Sequence, residues 1–193
     1  MKRLRKENIN TPEYFDRQWG QQDKGYHDPV RQKALIRHVK DNDMVIDVGA
    51  GLYGSCQYIS RYTKIKAQLM CIDFSKQAAK LVTAMCPEIH YITANIDPIP
   101  FGPDSFDCVI AGEIIEHMED PQRFVKELVR ICKTGGWITL STVNTKCPNA
   151  KKCEYAEHVW EFTAEDLLSF FADYGKATYS LVGDYHFIEC QKI

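Results

Sequence analysis

The 193-residue chain has no apolar run near the roughly 20 residues that a membrane helix needs, and its start, Met1-Lys-Arg-Leu-Arg-Lys-Glu7, has no apolar signal core behind its basic residues. A cytoplasmic protein with no membrane partner is expected. Eight cysteines include no C-x-x-C pair. Several lie in apolar, strand-like runs where a thiol acts as a small hydrophobe, so reduced thiols are expected rather than a disulfide framework. The spacing of Cys147, Cys153 and His158 matches no zinc module. There is no internal repeat and no low-complexity stretch. Neither sign of charge dominates: 24 Lys and Arg face 26 Asp and Glu, a net of -2. That removes any global attraction to polyphosphate and leaves only a local patch, such as Lys146, Lys151 and Lys152, to guide nucleic acid.

What is present is a globular composition, 45% hydrophobic and 26% charged, on a length that suits one domain. Short β-branched runs alternate with longer helical ones, the pattern of a parallel α/β sheet with right-handed crossovers. Residues 1–40 read as a helical preface, a lid: Thr11-Pro12-Glu13 and Asp28-Pro29 each signal a helix start, the second opening Val30 to Lys40. The main domain, 41–193, begins with a strand at Met44 to Val48. Further strands are expected at Gln68–Ile72, Ile89–Thr93, Phe106–Ala111 and Trp137–Thr142, the last after a turn at Gly135-Gly136. Helices are expected from near Gly54 to Tyr62, from the cap Ser75 to Met85, from Asp120-Pro121 to Cys132, and from Thr163, whose Leu167, Leu168, Phe170 and Phe171 face the sheet. Ala177–Val182 and Tyr185–Gln191 read as a closing antiparallel hairpin. The irregular stretch from Val143 to Trp160 is long enough to be functional and is expected to cover a site.

Val45-Ile-Asp-Val-Gly-Ala-Gly-Leu-Tyr-Gly54 ends a strand and opens a helix, the context in which a glycine-rich loop admits a nucleoside. Such turns also serve as plain connectors. Asp73, at the end of the next strand, suits the two hydroxyls of a ribose. Asp47 at the base of the loop favours a cationic ligand over a pyrophosphate, and can hold the amides of its own turn without excluding that role.

These residues resemble a class I S-adenosylmethionine (SAM)-dependent methyltransferase of the type 11 kind. Asp47-Val-Gly-Ala-Gly51 is similar to its motif I, Cys71-Ile-Asp-Phe-Ser75 to its acidic motif II, Pro100-Phe-Gly-Pro-Asp-Ser-Phe-Asp107 to the segment before strand 4, and Lys133-Thr-Gly-Gly136 to the approach to strand 5. The resemblance, over roughly residues 40 to 175, implies a Rossmann-like three-layer αβα sandwich. Its seven-stranded, mostly parallel sheet has the order 3-2-1-4-5-7-6, strand 7 being antiparallel. It further implies cofactor contacts from Asp47, Gly49, Ala50, Gly51, Asp73, Phe74, Asn95, Ile96, Ala111 and Glu113, with Tyr14 of the preface added. Asn95 stands where the family has an aspartate for the adenine amine, with Asp97 as the alternative. Gly54 is farther from Gly51 than the family's third glycine. Phe15 and Trp19, four apart, read as packing; Tyr26 completes the preface aromatics.

After strand 4, Glu113-Ile-Ile-Glu116-His117 resembles the E-x-x-E-H run of ubiquinone-biosynthesis O-methyltransferases and of small-RNA terminal 2'-O-methyltransferases. In the RNA enzymes that run and a later histidine, here His158, hold a divalent metal. Three readings follow: a metal site of Glu113, Glu116, His117 and His158; His117 as general base; or a structural turn. The catalytic candidates are His117, Glu113 and His158. A small-molecule oxygen is the expected acceptor, in part because no N-P-P-Y signature follows strand 4. An RNA 2'-hydroxyl is the narrower alternative, and an NAD-dependent oxidoreductase or a non-catalytic SAM-binding subunit are those from other classes. Nothing in the sequence specifies the oligomeric state.

Overall fold

The computed structural model describes residues 1–21, 28–144 and 157–193. Tyr26, Cys147, Cys153 and the three lysines of the loop lie outside the described residues.

In chain order the elements are β1 (Lys2–Arg3), α1 (Pro12–Gln21), α2 (Pro29–Leu35), β2 (Met44–Val48), α3 (Ser55–Tyr62), β3 (Gln68–Asp73), α4 (Lys76–Met85) and β4 (His90–Thr93). They continue with β5 (Phe106–Gly112), a short 3-10 helix (Ile115–His117), α5 (Pro121–Ile131), β6 (Cys132–Val143), β7 (Trp160–Glu161), α6 (Ala164–Ser169), β8 (Gly175–Val182) and β9 (Tyr185–Lys192). Seven strands form one sheet in the order β4-β3-β2-β5-β6-β9-β8. β9 is antiparallel to both neighbours, while β4, β3, β2, β5 and β6 pair in parallel. This is the expected 3-2-1-4-5-7-6 arrangement.

Successive residues of a strand point to opposite faces, so the central strands feed two cores. Val45, Leu69, Cys71 and Ile110 pack with Leu35, Ile59 and Val82 from α2, α3 and α4. Ile46, Val48, Ile72 and Val109 pack with Phe124, Leu128 and Leu167 from α5 and α6. The sheet is therefore covered on both sides, which is why its inner strands read as nearly continuous apolar runs. Caps set the helix starts: Asp28 accepts from the Val30 and Arg31 amides, Ser75 from Ala78 and Asp120 from Arg123. Thr163 and Asp166 form a reciprocal capping box.

Three expectations need correction. α2 stops at Leu35 rather than Lys40, because the chain tightens: the Arg37 amide donates to Ala34 O (3.2 Å) and the Val39 amide to Ile36 O (3.0 Å), which keeps Leu35, Ile36 and Val39 all buried. β6 starts at Cys132, not Trp137; Cys132 pairs with Phe106 and Trp137 with Cys108, so Lys133 to Gly136 bulge out of register, with Gly135 at φ +82°. The preface is not wholly helical, since β1 pairs antiparallel with β7. A two-residue strand is too short to carry a readable period.

Candidate active site

The glycine loop leaves the carboxyl end of β2 and is built around two buried carboxylates. Asp47 accepts hydrogen bonds from the Ser55 amide and, at 3.3 Å, from the Cys56 amide. Burial pushes its pKa up to about 7, against the pull of those two amides. Asp47 thus caps the start of α3 from beneath, the second of the two roles its position allows. Gly54 is forced by this contact: a Cβ there would lie 2.5 Å from Asp47 Oδ2. Asp73 Oδ2 accepts from the Gly51 amide (3.0 Å) and its Oδ1 from the Ser75 amide (2.8 Å). Two acceptor positions on that carboxylate remain for a ligand. Gly49 and Gly51 have φ of +71° and +53°, and a Cβ would meet Ile114 Cγ1 at 2.5 Å or Trp19 Cζ2 at 2.8 Å.

At the end of β5, Glu113 takes φ +56°, unusual for a residue with a side chain, and its amide donates to Ser141 O. Its Oε1 accepts from Ser141 Oγ (3.0 Å) and lies 3.8 Å from Arg31 Nη1. Glu116 is fully buried in the 3-10 turn, with neither oxygen in a standard hydrogen bond among the described residues. Burial raises the pKa of both glutamates, and Arg31 opposes it. The His117 ring places Nδ1 3.1 Å from Glu157 O; burial lowers its pKa. His158 packs against it, ring centroids 5.0 Å apart, and burial drives its pKa down to about 4. Ligand atoms of Glu116, His117 and His158 fall within 4.8 Å of one another. Glu113 is not part of that group, so the four-residue metal set does not assemble as expected.

Between these two regions lies a cavity of about 870 Å³, the size of a cofactor pocket. Gly49, Gly51, Asp73, Phe74, Asn95 and Ile96, the expected cofactor residues that reach it, line one end. Glu113 and His117 line the other end. Asp47, Ala50, Ala111 and Tyr14 are not on the wall, nor are Glu116 and His158; Tyr14 instead donates its hydroxyl to Glu157 Oε2 (3.3 Å). Asn95 and Asp97 both reach the wall. The Asn95 Oδ1 holds the Asp97 amide at 3.1 Å, and Asp97 pairs with Arg123 at 2.9 Å.

Several residues of this region carried no signal in the sequence. Asp16 of α1 accepts from Ser75 Oγ (2.5 Å) and from the Gln77 amide (2.9 Å), pinning the preface to the start of α4. Arg31 of α2 faces Glu113 and sits over the Tyr185 ring. Asn10 donates to both His117 O (3.2 Å) and Glu157 O (2.9 Å).

Residues 46–140 match the model of a methyltransferase domain family. A Mycobacterium tuberculosis protein named as a probable SAM-dependent methyltransferase is 28% identical over 124 residues, covering 63% of this chain and 45% of that protein. The ubiquinone biosynthesis O-methyltransferase of Albidiferax ferrireducens is 30% identical over 106 residues, 52% of this chain and 41% of that one. The chain thus spans less than half the length of these curated relatives. Among solved structures, the Haloferax volcanii chain found with the Trm112 methyltransferase activator superposes with a TM-score of 0.74 at 17% identity, covering 92% of this chain and 97% of that chain. Residues 46–140 thus match a methyltransferase domain, and that region contains the glycine loop and Asp73 as well as Glu113, Glu116 and His117.

Proposed function

We propose that the chain transfers the methyl group of SAM to a hydroxyl oxygen of a small molecule, with His117 as the general base. The geometry of His117 carries this reading. A carbonyl oxygen only accepts, so the 3.1 Å contact with Glu157 O fixes the proton on Nδ1 and leaves Nε2 with a lone pair. Burial keeps the ring neutral at pH 7.

The residues present fit the cofactor: Asp73 has free acceptor positions for a ribose diol, and glycine leaves room where a Cβ would collide. Bound there, SAM supplies an electrophilic methyl carbon on a sulfonium. Gly49, Gly51, Asp73, Phe74 and Ile96 would hold the nucleoside, and the second lone pair of Asn95 Oδ1 would take the adenine amine. Glu113 would face the amino-acid end. Asp47 and Ala50 support the loop from within, and Ala111 places Glu113. His117 takes the acceptor's proton as the oxygen–carbon bond forms and the sulfur–carbon bond breaks. α1, joined to α4 through Asp16, serves as the lid that holds Phe15 and Trp19 over the site.

The test is calorimetric titration with SAM, with NADH as control. Micromolar SAM binding that Asp73→Ala removes is expected; NADH heat without SAM binding overturns the reading. A second reading, a divalent ion on Glu116, His117 and His158, has support in the buried Glu116 carboxylate, whose oxygen lies within 4.8 Å of ligand atoms of both histidines. Manganese titration followed by electron paramagnetic resonance, with Glu116→Gln beside the wild type, decides it: a site lost in the variant supports the ion, and no bound manganese removes it.

A further inference from the structure

The charge of the cavity wall constrains the acceptor. Among the described residues, seven carboxyl groups line it against one lysine, Lys76. Most are committed: Asp73 and Asp16 to backbone amides, Asp97 to Arg123, Glu119 to Arg3 and Glu113 to Arg31. Glu13 and Glu157 form no ion pair among the described residues; the Glu157 carboxylate is oriented instead by the Tyr14 hydroxyl. Asn10, on the same wall, spends its Nδ2 on three oxygens and keeps a buried Oδ1 with no donor. Beside these groups stands Phe15, whose ring meets His117 edge-on at 5.9 Å. The acceptor end therefore offers oxygen acceptors and an aromatic face, the surroundings that favour an ammonium group and disfavour an anion.

Resting on the methyltransferase reading above, we infer that the acceptor is a small cation: a hydroxyl-bearing amine whose ammonium group is received by the Glu157 carboxylate and Asn10 Oδ1 while its hydroxyl meets His117. The same carboxylate disfavours carboxylate and phosphate acceptors. The ammonium keeps its protons; only the hydroxyl proton passes to His117 as the methyl group moves.

The test uses three catechols that differ only in side-chain charge: dopamine, 4-methylcatechol and 3,4-dihydroxyphenylacetate. Each is titrated onto protein saturated with S-adenosylhomocysteine, followed by ligand-observed NMR. Dopamine is expected to bind at least tenfold tighter than the carboxylate, with the neutral compound between them. Glu157→Gln should shrink that ratio at least threefold without changing affinity for S-adenosylhomocysteine. Equal or tighter binding of the carboxylate, a ratio untouched by that substitution, or no dopamine binding to the loaded protein overturns the inference. Failure of the wild type to bind S-adenosylhomocysteine, measured first, overturns the cofactor reading itself and is thereby told apart.

Discussion

The two ends of the cavity are built in different ways. The cofactor end comes mainly from one stretch, β2 through the turn after β4, and the hydrogen bonds that shape its loop join residues within about 25 positions: Asp47 to Ser55, Asp73 to Gly51 and to Ser75. The acceptor end is assembled from three stretches far apart in the chain. Asn8 and Asn10 reach His117 O across more than 100 residues, the Val159 amide donates to Glu116 O (2.8 Å), and the Leu4 amide to Val159 O (2.7 Å). On the proposed reading, cofactor use and acceptor choice are separable within one small domain.

That separation predicts different outcomes for substitutions at the two ends. At the cofactor end, Asp73→Ala removes a buried acceptor of two amides and of the ligand, and should weaken SAM binding at least 100-fold, a loss of about 3 kcal/mol, measured by calorimetry. At the acceptor end, His117→Gln should lower kcat by about 10²- to 10⁴-fold while SAM affinity changes less than threefold. Loss of cofactor binding in that variant would break the comparison. Asp16→Ala touches the joint between the ends: losing its bonds to Ser75 and Gln77 should cost about 1 kcal/mol of stability and raise the SAM dissociation constant several-fold, seen in thermal melts and titration.

A smaller, pH-dependent effect sharpens the comparison further. His158 holds its proton only below about 4 in the folded chain, chiefly through burial, with His117 and Arg5 adding to it. The unfolded chain takes that proton near 6.5, so it binds more protons in between, and stability should fall as pH drops from about 6.5 towards 4. The contribution is at most roughly 3 kcal/mol. Asp47 works in the opposite direction, its raised value of about 7 giving stability that is present below about 3.8 and lost as pH rises through 7. The denaturant midpoint at pH 4.5 minus that at pH 7 should therefore be more positive in His158→Gln than in the wild type. An unchanged gap would place the acid sensitivity elsewhere.

The same contrast explains what was readable in advance. β2 occupies Met44–Val48 as expected, and Ser75, Asp120 and Thr163 cap the helices they were expected to start, because strand alternation, caps and prolines act over a few residues. Gly49, Gly51 and Asp73 were legible for the same reason: a tight turn and a strand-end carboxylate are local requirements. The sequence by itself determined the three-layer α/β architecture, the cofactor loop and the presence of ionisable residues after β5. Only the tertiary structure decided that Glu113 turns to Ser141 and Arg31 instead of joining Glu116 and the histidines, that Asp16 fastens the preface, and that β1 closes on β7. Each depends on a contact between residues whose separation leaves no period in the chain, so the pairing was settled by which surfaces could be buried together, not by any pattern that either segment carries alone.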